Sequence, residues 1–333
     1  MYILAPLTLV LFSNPALLFQ SDISTAFLAM TAEKGAPARL DYLLSQFPVV
    51  IKYLQLFILP VGQNLDHDMA IKSSFFNPEV LSSFLVLVAL LMTAIFFIVR
   101  GRKTEIIQAK LLLLSGFGIL WFFVTISLES GIVPIRDLMF EQRLYIPSIG
   151  LVITVSAMLV LLLSKEGEGG RSYRTFSIVI VVMAIILSIM SFYRNIAWQS
   201  EISIWEDAVS KSPGKGRTHG ALGHAYQRAK MWPEAEKEYL EALRLSSYDH
   251  IAANNLGVVY LKQKRYAEAV ILFKKGIELV PTTSAAHFNL GLAYAATGSY
   301  PEAIRAFEEA IRHKPDYREA KDNLNAVKRL MEH

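Results

Sequence analysis

Two patterns of apolar and polar positions divide this chain. Over residues 1–193 the apolar residues come in long, nearly charge-free runs: 1–21, 81–99, 111–128, 144–164 and 175–193. Each approaches the roughly 20 residues needed to cross about 30 Å of hydrocarbon. The first run has no basic start and no small-x-small cleavage site, so it reads as a span, not as a signal peptide. A further stretch, 42–65, is interrupted by Lys52 and closed by Pro60 and Gly62. It predicts either a span or a helix lying at the membrane interface. Beyond residue 216 the pattern changes to mixed-charge helices, and it repeats every 34 residues. Gly223, Gly257 and Gly291 mark the repeat; Leu222, Leu256 and Leu290 precede them, and Tyr226, Tyr260 and Tyr294 follow. Then come Ala235, Ala269 and Ala303, the aromatics Tyr239, Phe273 and Phe307, and the small residues Ala242, Gly276 and Ala310. Pro281 and Pro315 close the second and third units.

A period of this length with L-G-x-x-Y, A-x-x-x-F/Y and a closing proline resembles the tetratricopeptide repeat (TPR) family, over about residues 203–331. The resemblance implies antiparallel helix pairs. The glycine and the later alanine let the two helices approach, the aromatic fills the gap, and stacking of neighbours builds a solenoid with a concave face. Residues 317–331 have the spacing of a capping helix with a charged outer side. The expected fold is therefore all-α: a polytopic transmembrane helix bundle (1–193), a juxtamembrane hinge (194–216) and a TPR α-solenoid (217–331). Trp198 and Trp205 in the hinge suit either interfacial anchoring or, for Trp205, the core of a first repeat-like helix.

Composition agrees with two solvent classes. The 333 residues are 53% hydrophobic with mean hydropathy +0.37, which is high for a soluble protein of this size. The net charge of +4 shows no basic-aromatic stripe, so no nucleic-acid partner is expected. Cysteine is absent, which excludes disulfides and thiol chemistry. The basic residues set a topology. Arg100, Arg102, Lys103 and Lys110 lie in one loop and Lys165, Arg171 and Arg174 in another, while the opposite side holds only Lys72, Arg136 and Arg143. The positive-inside rule puts the first two loops in the cytoplasm and the repeats outside it, on the extracytoplasmic side of the membrane. Arg194, just past the last span, weighs the other way.

Three places could carry chemistry. In FEQRLYIPS (140–148), Glu141 and Arg143 stand at the mouth of a span. Charges there are costly unless paired or bound to a polar ligand, and an arginine fork suits a lipid phosphate. The alternative is a pair of ordinary interfacial charges, with Arg143 snorkelling. In NLDHD, Asp66, His67 and Asp68 could act as a base or hold a divalent metal, or simply be solvated surface. In the repeats, Asn255 and Asn289 share one register position, and Asn254, Val258, Phe288 and Leu292 flank it. Side-chain amides both donate and accept, which suits the backbone of an extended polypeptide. The glycine-rich KEGEGGR follows a span, not a strand, so it is not a nucleotide cradle. No metal-ligand spacing is present, and no cofactor is expected beyond that divalent ion.

The membrane half also resembles a known family. E-Q-R-L-Y-I-P-S-I-G (141–150), the stretch RLDYLLSQFPVVIKYLQLFILPVGQNLDHD (39–68), SGFGILWFFVTISLESGIVPIRD (115–137) and RNIAW…IWEDAVSKSP are similar, in order, to segments of the GT-C glycosyltransferases that end in TPRs. These are the transmembrane-and-TPR-containing O-mannosyltransferases and their bacterial homologues. The resemblance implies a polyprenyl-phosphate-linked sugar as donor, a polypeptide acceptor in the repeat groove, Arg143 on the lipid phosphate and Glu141 orienting it. Gln142 stands where the family usually has His. The family has further spans on the N-terminal side, with its catalytic acidic residues in the first extracytoplasmic loop there, a segment without counterpart here. The chain is thus expected to resemble the C-terminal part of such an enzyme, catalytically incomplete by itself. The rival expectation is a non-enzymatic, membrane-anchored TPR scaffold.

Overall fold

The computed structural model describes residues 37–102, 107–130, 137–164 and 171–331. The expected span at 1–21 lies outside the described residues. Everything with regular structure in the described residues is helical, and these residues form two units: 37–63 with 69–190, and 64–68 with 191–331.

The first unit contains α1 (Arg39–Ile58), α2 (Pro78–Gly101), α3 (Ile107–Ser130), a 3-10 turn (Glu141–Leu144), α4 (Tyr145–Ser164) and most of α5 (Arg171–Ala197). Four stretches among the described residues are long and apolar enough to cross a membrane: Pro78–Gly101, Ile107–Leu128, Glu141–Leu162 and Ile180–Ala197. Asn77 caps α2 by accepting from the Glu79 N–H at 3.0 Å, and Pro78 occupies the first turn, where its missing N–H costs nothing. α3 and α4 touch backbone to backbone. A Cβ on Gly118 would overlap the carbonyl of Gly150, and one on Gly150 would overlap that of Gly118. Thr154 Oγ1 donates to Ser115 O across this seam at 3.1 Å, and Trp121 Nε1 donates to Ile146 O at 3.1 Å. Small residues and interhelical hydrogen bonds hold helices together where lipid removes the hydrophobic drive.

The stretch 42–65, left open between a span and an interfacial helix, is mostly α1. Tyr42, Val49, Val50, Tyr53 and Leu56 of α1 pack against Leu87 near the start of α2, Phe122 and Ile126 near the end of α3, and Leu151 near the start of α4. Phe47 meets the Phe84 edge at 5.4 Å between ring centroids, and Phe75 meets it at 5.3 Å.

The second unit contains α6 (Glu201–Lys211), α7 (Gly216–Arg228), α8 (Trp232–Leu245), α9 (His250–Lys262), α10 (Tyr266–Leu279), α11 (Ser284–Ala296), α12 (Tyr300–His313) and α13 (Arg318–Met331). α7/α8, α9/α10 and α11/α12 are the three repeat pairs, α13 caps the last, and α6 packs on α7 before the first. A Cβ on Gly223 would lie 2.9 Å from Tyr239, and one on Gly257 or Gly291 would lie 2.6 Å from Phe273 or Phe307. The three rings are fully buried, as are Ala235, Ala269 and Ala303. Each such ring contributes about 1.5–3 kcal/mol by leaving water. Trp205 is half-buried on α6, whereas Trp198 is exposed with Arg194 5.9 Å from its ring. Arg194 also donates to Asp207 at 2.6 Å, and Lys211 sits on the same carboxylate at 2.6 Å. Burial pushes Asp207 up, but the hydrogen bonds from Lys211 and Arg194 outweigh it and hold the carboxyl below its ordinary range. Arg194, at the end of α5, and Lys211, at the end of α6, thus meet on one carboxylate.

Candidate functional site

The segment that carries Glu141 and Arg143 is fixed by α1. Tyr53 OH donates to Phe140 O at 2.9 Å and accepts from Phe140 N–H at 3.0 Å. Gln46 Nε2 reaches Leu138 O at 3.4 Å. Leu138 and Met139 are buried beneath α1. The chain then makes the 3-10 turn Glu141–Leu144 and enters α4, where Pro147 sits in the first turn.

Arg143 is half-buried. Its Cζ lies 5.2 Å from the centre of the Phe140 ring, and its Nη1 is buried without a hydrogen-bond partner. A guanidinium N–H out of water without an acceptor is unfavourable, and an anion would satisfy it. Tyr42 OH and Gln46 Oε1, one turn apart on α1, are the other buried side-chain atoms in this condition among the described residues. Glu141 lines a cavity of about 270 Å³ with Leu56, Phe57, Gln63, Tyr145 and Ser148. Mixed polar and apolar walls of this kind suit a head group whose tail lies in hydrocarbon. Glu141 and Arg143 are thus on one turn, with Glu141 on the cavity and Arg143 packed over Phe140.

The Asp66-His67-Asp68 trio belongs to the second unit. Asp66 is 1% exposed, with Lys215 Nζ on Oδ1 and Arg217 Nε on Oδ2 at 2.8 Å. Ser212 Oγ donates to Asp66 O at 2.8 Å and accepts from Asp68 N–H at 3.0 Å and from Asn64 Nδ2 at 2.7 Å. Lys215 Nζ also donates to His67 O at 3.1 Å. Each oxygen of this carboxylate thus already accepts from a cationic side chain, and the pair ties residues 64–68 to the start of α7. Among the described residues, no three His, Asp or Glu side chains gather where a metal ion could sit.

In the repeats, Asn254, Asn255, Val258, Phe288, Asn289 and Leu292 are all half-buried. The amide link across repeats joins Asn289 Nδ2 to Asn254 Oδ1 at 3.1 Å. It is not the same-register pair Asn255–Asn289, because Asn255 lies beside the buried Tyr239 hydroxyl. Phe288 stacks between Phe307 and Tyr317, 5.8 and 5.0 Å between centroids, so it supports the last helices from the concave side. Sequence reasoning missed Tyr53, Gln46, Ser212, Lys215 and Arg217. Arg217 alone left a signal: it stands 34 residues before Ile251 and 68 before Ala285, a charge where the other repeats are apolar.

Two overlapping stretches, 214–282 and 248–316, match the tetratricopeptide repeat family. Over 124 residues of the repeat region, 37% of the chain, the protein is 27% identical to the human protein O-mannosyl-transferase TMTC3 and to its mouse counterpart. The Drosophila melanogaster Tmtc3 is 24% identical over 125 residues. The matched segment spans only 13% of each relative's own length. Among solved structures, MamA is 22% identical over 38% of this chain and 74% of its own, with a TM-score of 0.37. The first TPR of Spaghetti (RPAP3) bound to an HSP90 peptide is 20% identical over 36% of this chain and 94% of its own, with a TM-score of 0.35. The chain is an all-helical membrane protein whose C-terminal unit is a tetratricopeptide repeat domain similar to that of the TMTC3 O-mannosyl-transferases.

Proposed function

We propose that this protein serves sugar transfer from a polyprenyl-phosphate donor to polypeptide, with the repeats holding the polypeptide on the extracytoplasmic side of a bacterial inner membrane. The observation that carries the reading is Arg143, whose Nη1 is buried without a hydrogen-bond partner beside a turn whose Glu141 lines a cavity. Arg143 holds the lipid phosphate and Glu141 orients it. In the transfer, the anomeric carbon bonds to an acceptor hydroxyl oxygen as its bond to the phosphate oxygen breaks, and the hydroxyl proton is released to water. The leaving polyprenyl phosphate gains charge, which the guanidinium stabilises. The similarity to O-mannosyl-transferases supports the chemistry, and the positive-inside asymmetry supports the orientation. Asp66 has no catalytic part in this reading, because both of its oxygens are committed to Lys215 and Arg217.

The test is transfer of a labelled sugar from a polyprenyl-phosphate donor to polypeptide in membranes that carry the protein joined to the N-terminal catalytic part of such an enzyme. Arg143→Ala abolishes it while leaving the protein folded and inserted. Undiminished transfer in that variant removes Arg143 from the site. Transfer absent from the unmodified protein favours the membrane-anchored scaffold, which needs only the repeats and any spans.

A further inference from the structure

The second unit already holds one short, bent piece of polypeptide, and it is the protein's own. Residues 64–68 are bound through the carbonyls of Asp66 and His67, the N–H of Asp68 and a single carboxylate. The carboxylate is read by Lys215 and by Arg217, the second residue of α7. The same register position carries Ile251 in α9 and Ala285 in α11, and there it is open; Ile251 is 61% exposed. From Ile251 to Leu261, and throughout α11, there is no Asp, Glu, Lys or Arg. His287, the one titratable imidazole in that stretch, is buried with Nε2 on Pro281 O at 2.9 Å. The stretch 251–261 and α11 thus contribute no charge to the open face, and Lys274 of α10 lies 5.8 Å from the centre of the Tyr294 ring of α11. The polar groups of that face are the linked amides of Asn254 and Asn289, and its apolar ones include Ile251, Val258 and Leu292.

A charged side chain brought onto this face would lose water and find no counter-charge on 251–261 or α11, a cost that rises as the groove closes over it. An uncharged segment loses little and gains amide-to-backbone hydrogen bonds. The geometry points to a division of the array: its cationic position is filled by the chain's own Asp66, and the open face of repeats two and three takes an extended stretch of partner polypeptide free of charged side chains. Asn254 and Asn289 pair with its backbone, and Val258 and Leu292 cover its small side chains. This rests on the reading above that the repeats bind polypeptide, but it needs no sugar donor. It can therefore stand if the lipid-phosphate role of Arg143 falls.

The experiment uses the whole protein in nanodiscs and short fluorescent peptides of Ser, Thr, Ala and Gly, with matched versions in which alternate residues are Asp or Lys. Anisotropy should show the neutral peptide binding at least about tenfold tighter than either charged one, with a Kd that does not move with salt. Asn254→Ala combined with Asn289→Ala weakens the neutral peptide by about tenfold or more, since two hydrogen bonds are lost. Val258→Lys keeps the fold and shifts preference toward the Asp peptide. Asp66→Ala removes the carboxylate that Lys215 and Arg217 share and raises Asp-peptide binding. Tighter binding of a charged peptide to the unmodified protein, steep salt dependence for the neutral one, or no binding of any peptide overturns the inference. So does an unchanged affinity in the double asparagine variant.

Discussion

Replacing single glycines by alanine in the repeats should change stability with opposite signs, and the structure assigns each sign. In a helix interior, alanine is favoured over glycine by about 1 kcal/mol, because glycine loses more backbone freedom on folding. At Gly220 an added Cβ would find its nearest neighbour, the Ala242 methyl, at 3.9 Å, and at Gly276 it would meet the His250 carbonyl at 3.6 Å. Both are ordinary contacts, so Gly220→Ala and Gly276→Ala should stabilise by about 0.5–1 kcal/mol. At Gly257 the same Cβ falls 2.6 Å from the Phe273 ring, which is fully buried and has nowhere to turn. Overpacking costs about 1–3 kcal/mol, and three ring atoms within 3 Å put this site in the upper part of that range, at about 2–3 kcal/mol, so Gly257→Ala should destabilise by about 1–2 kcal/mol net of the helix gain. Urea unfolding followed by circular dichroism in detergent micelles reads this directly, because micelle-embedded helices resist urea and the repeats do not. A Gly257→Ala protein as stable as the unmodified one would refute the helix-to-ring packing that defines the repeat. A loss at Gly220 as large as that at Gly257 would refute the assignment of signs.

Other outcomes follow from the same contacts. Phe307→Ala, at a fully buried ring in the third pair, should cost about 3–5 kcal/mol in the same urea experiment. Gly118→Leu should separate α3 from α4, since even a Cβ there overlaps Gly150; the readout is loss of folded protein in a detergent-stability chromatography assay. Asp207 has a folded pKa below its unfolded value, so its pairs with Arg194 and Lys211 stabilise above the ordinary carboxylate range, about pH 4, and are lost as pH falls through the lowered folded pKa. Asp207→Asn should therefore flatten the acid limb of a melting-temperature profile, and an unchanged limb would contradict the pairing. A protease-sensitive tag after His333 should be cut from the extracytoplasmic side only; cutting from the cytoplasm inverts the topology.

The two solvent classes and the three helix pairs were legible in the sequence because both depend on repetition. Charge-free runs report directly on hydrocarbon, and a glycine matched to an aromatic at fixed spacing reports a helix contact that recurs three times. What did not repeat was not legible. α1 is apolar enough to suggest a span, but its long-range partners Leu87, Phe122 and Leu151 leave no pattern in the sequence. Asp66 looked like surface or catalysis because its neighbours in sequence are polar. Its actual partners, Lys215 and Arg217, lie about 150 residues away, and one of them shows in the sequence only as a charge out of register. The link between Asn254 and Asn289 broke the expected register because Tyr239 draws Asn255 toward the core. Glu141 and Arg143 were visible as charges at a span mouth. The anchoring of their segment by Tyr53, and the unpartnered Arg143 Nη1, needed three dimensions.

The account turns on whether Arg143 meets a phosphate at the membrane surface. Native mass spectrometry of the protein in nanodiscs, titrated with a polyprenyl phosphate and separately with the matching polyprenol, measures this without requiring catalysis. A charge-assisted hydrogen bond to a desolvated guanidinium predicts that Arg143→Ala weakens polyprenyl phosphate binding by about tenfold to a hundredfold and leaves polyprenol binding unchanged. Equal binding of the phosphate by the unmodified and Arg143→Ala proteins would contradict it.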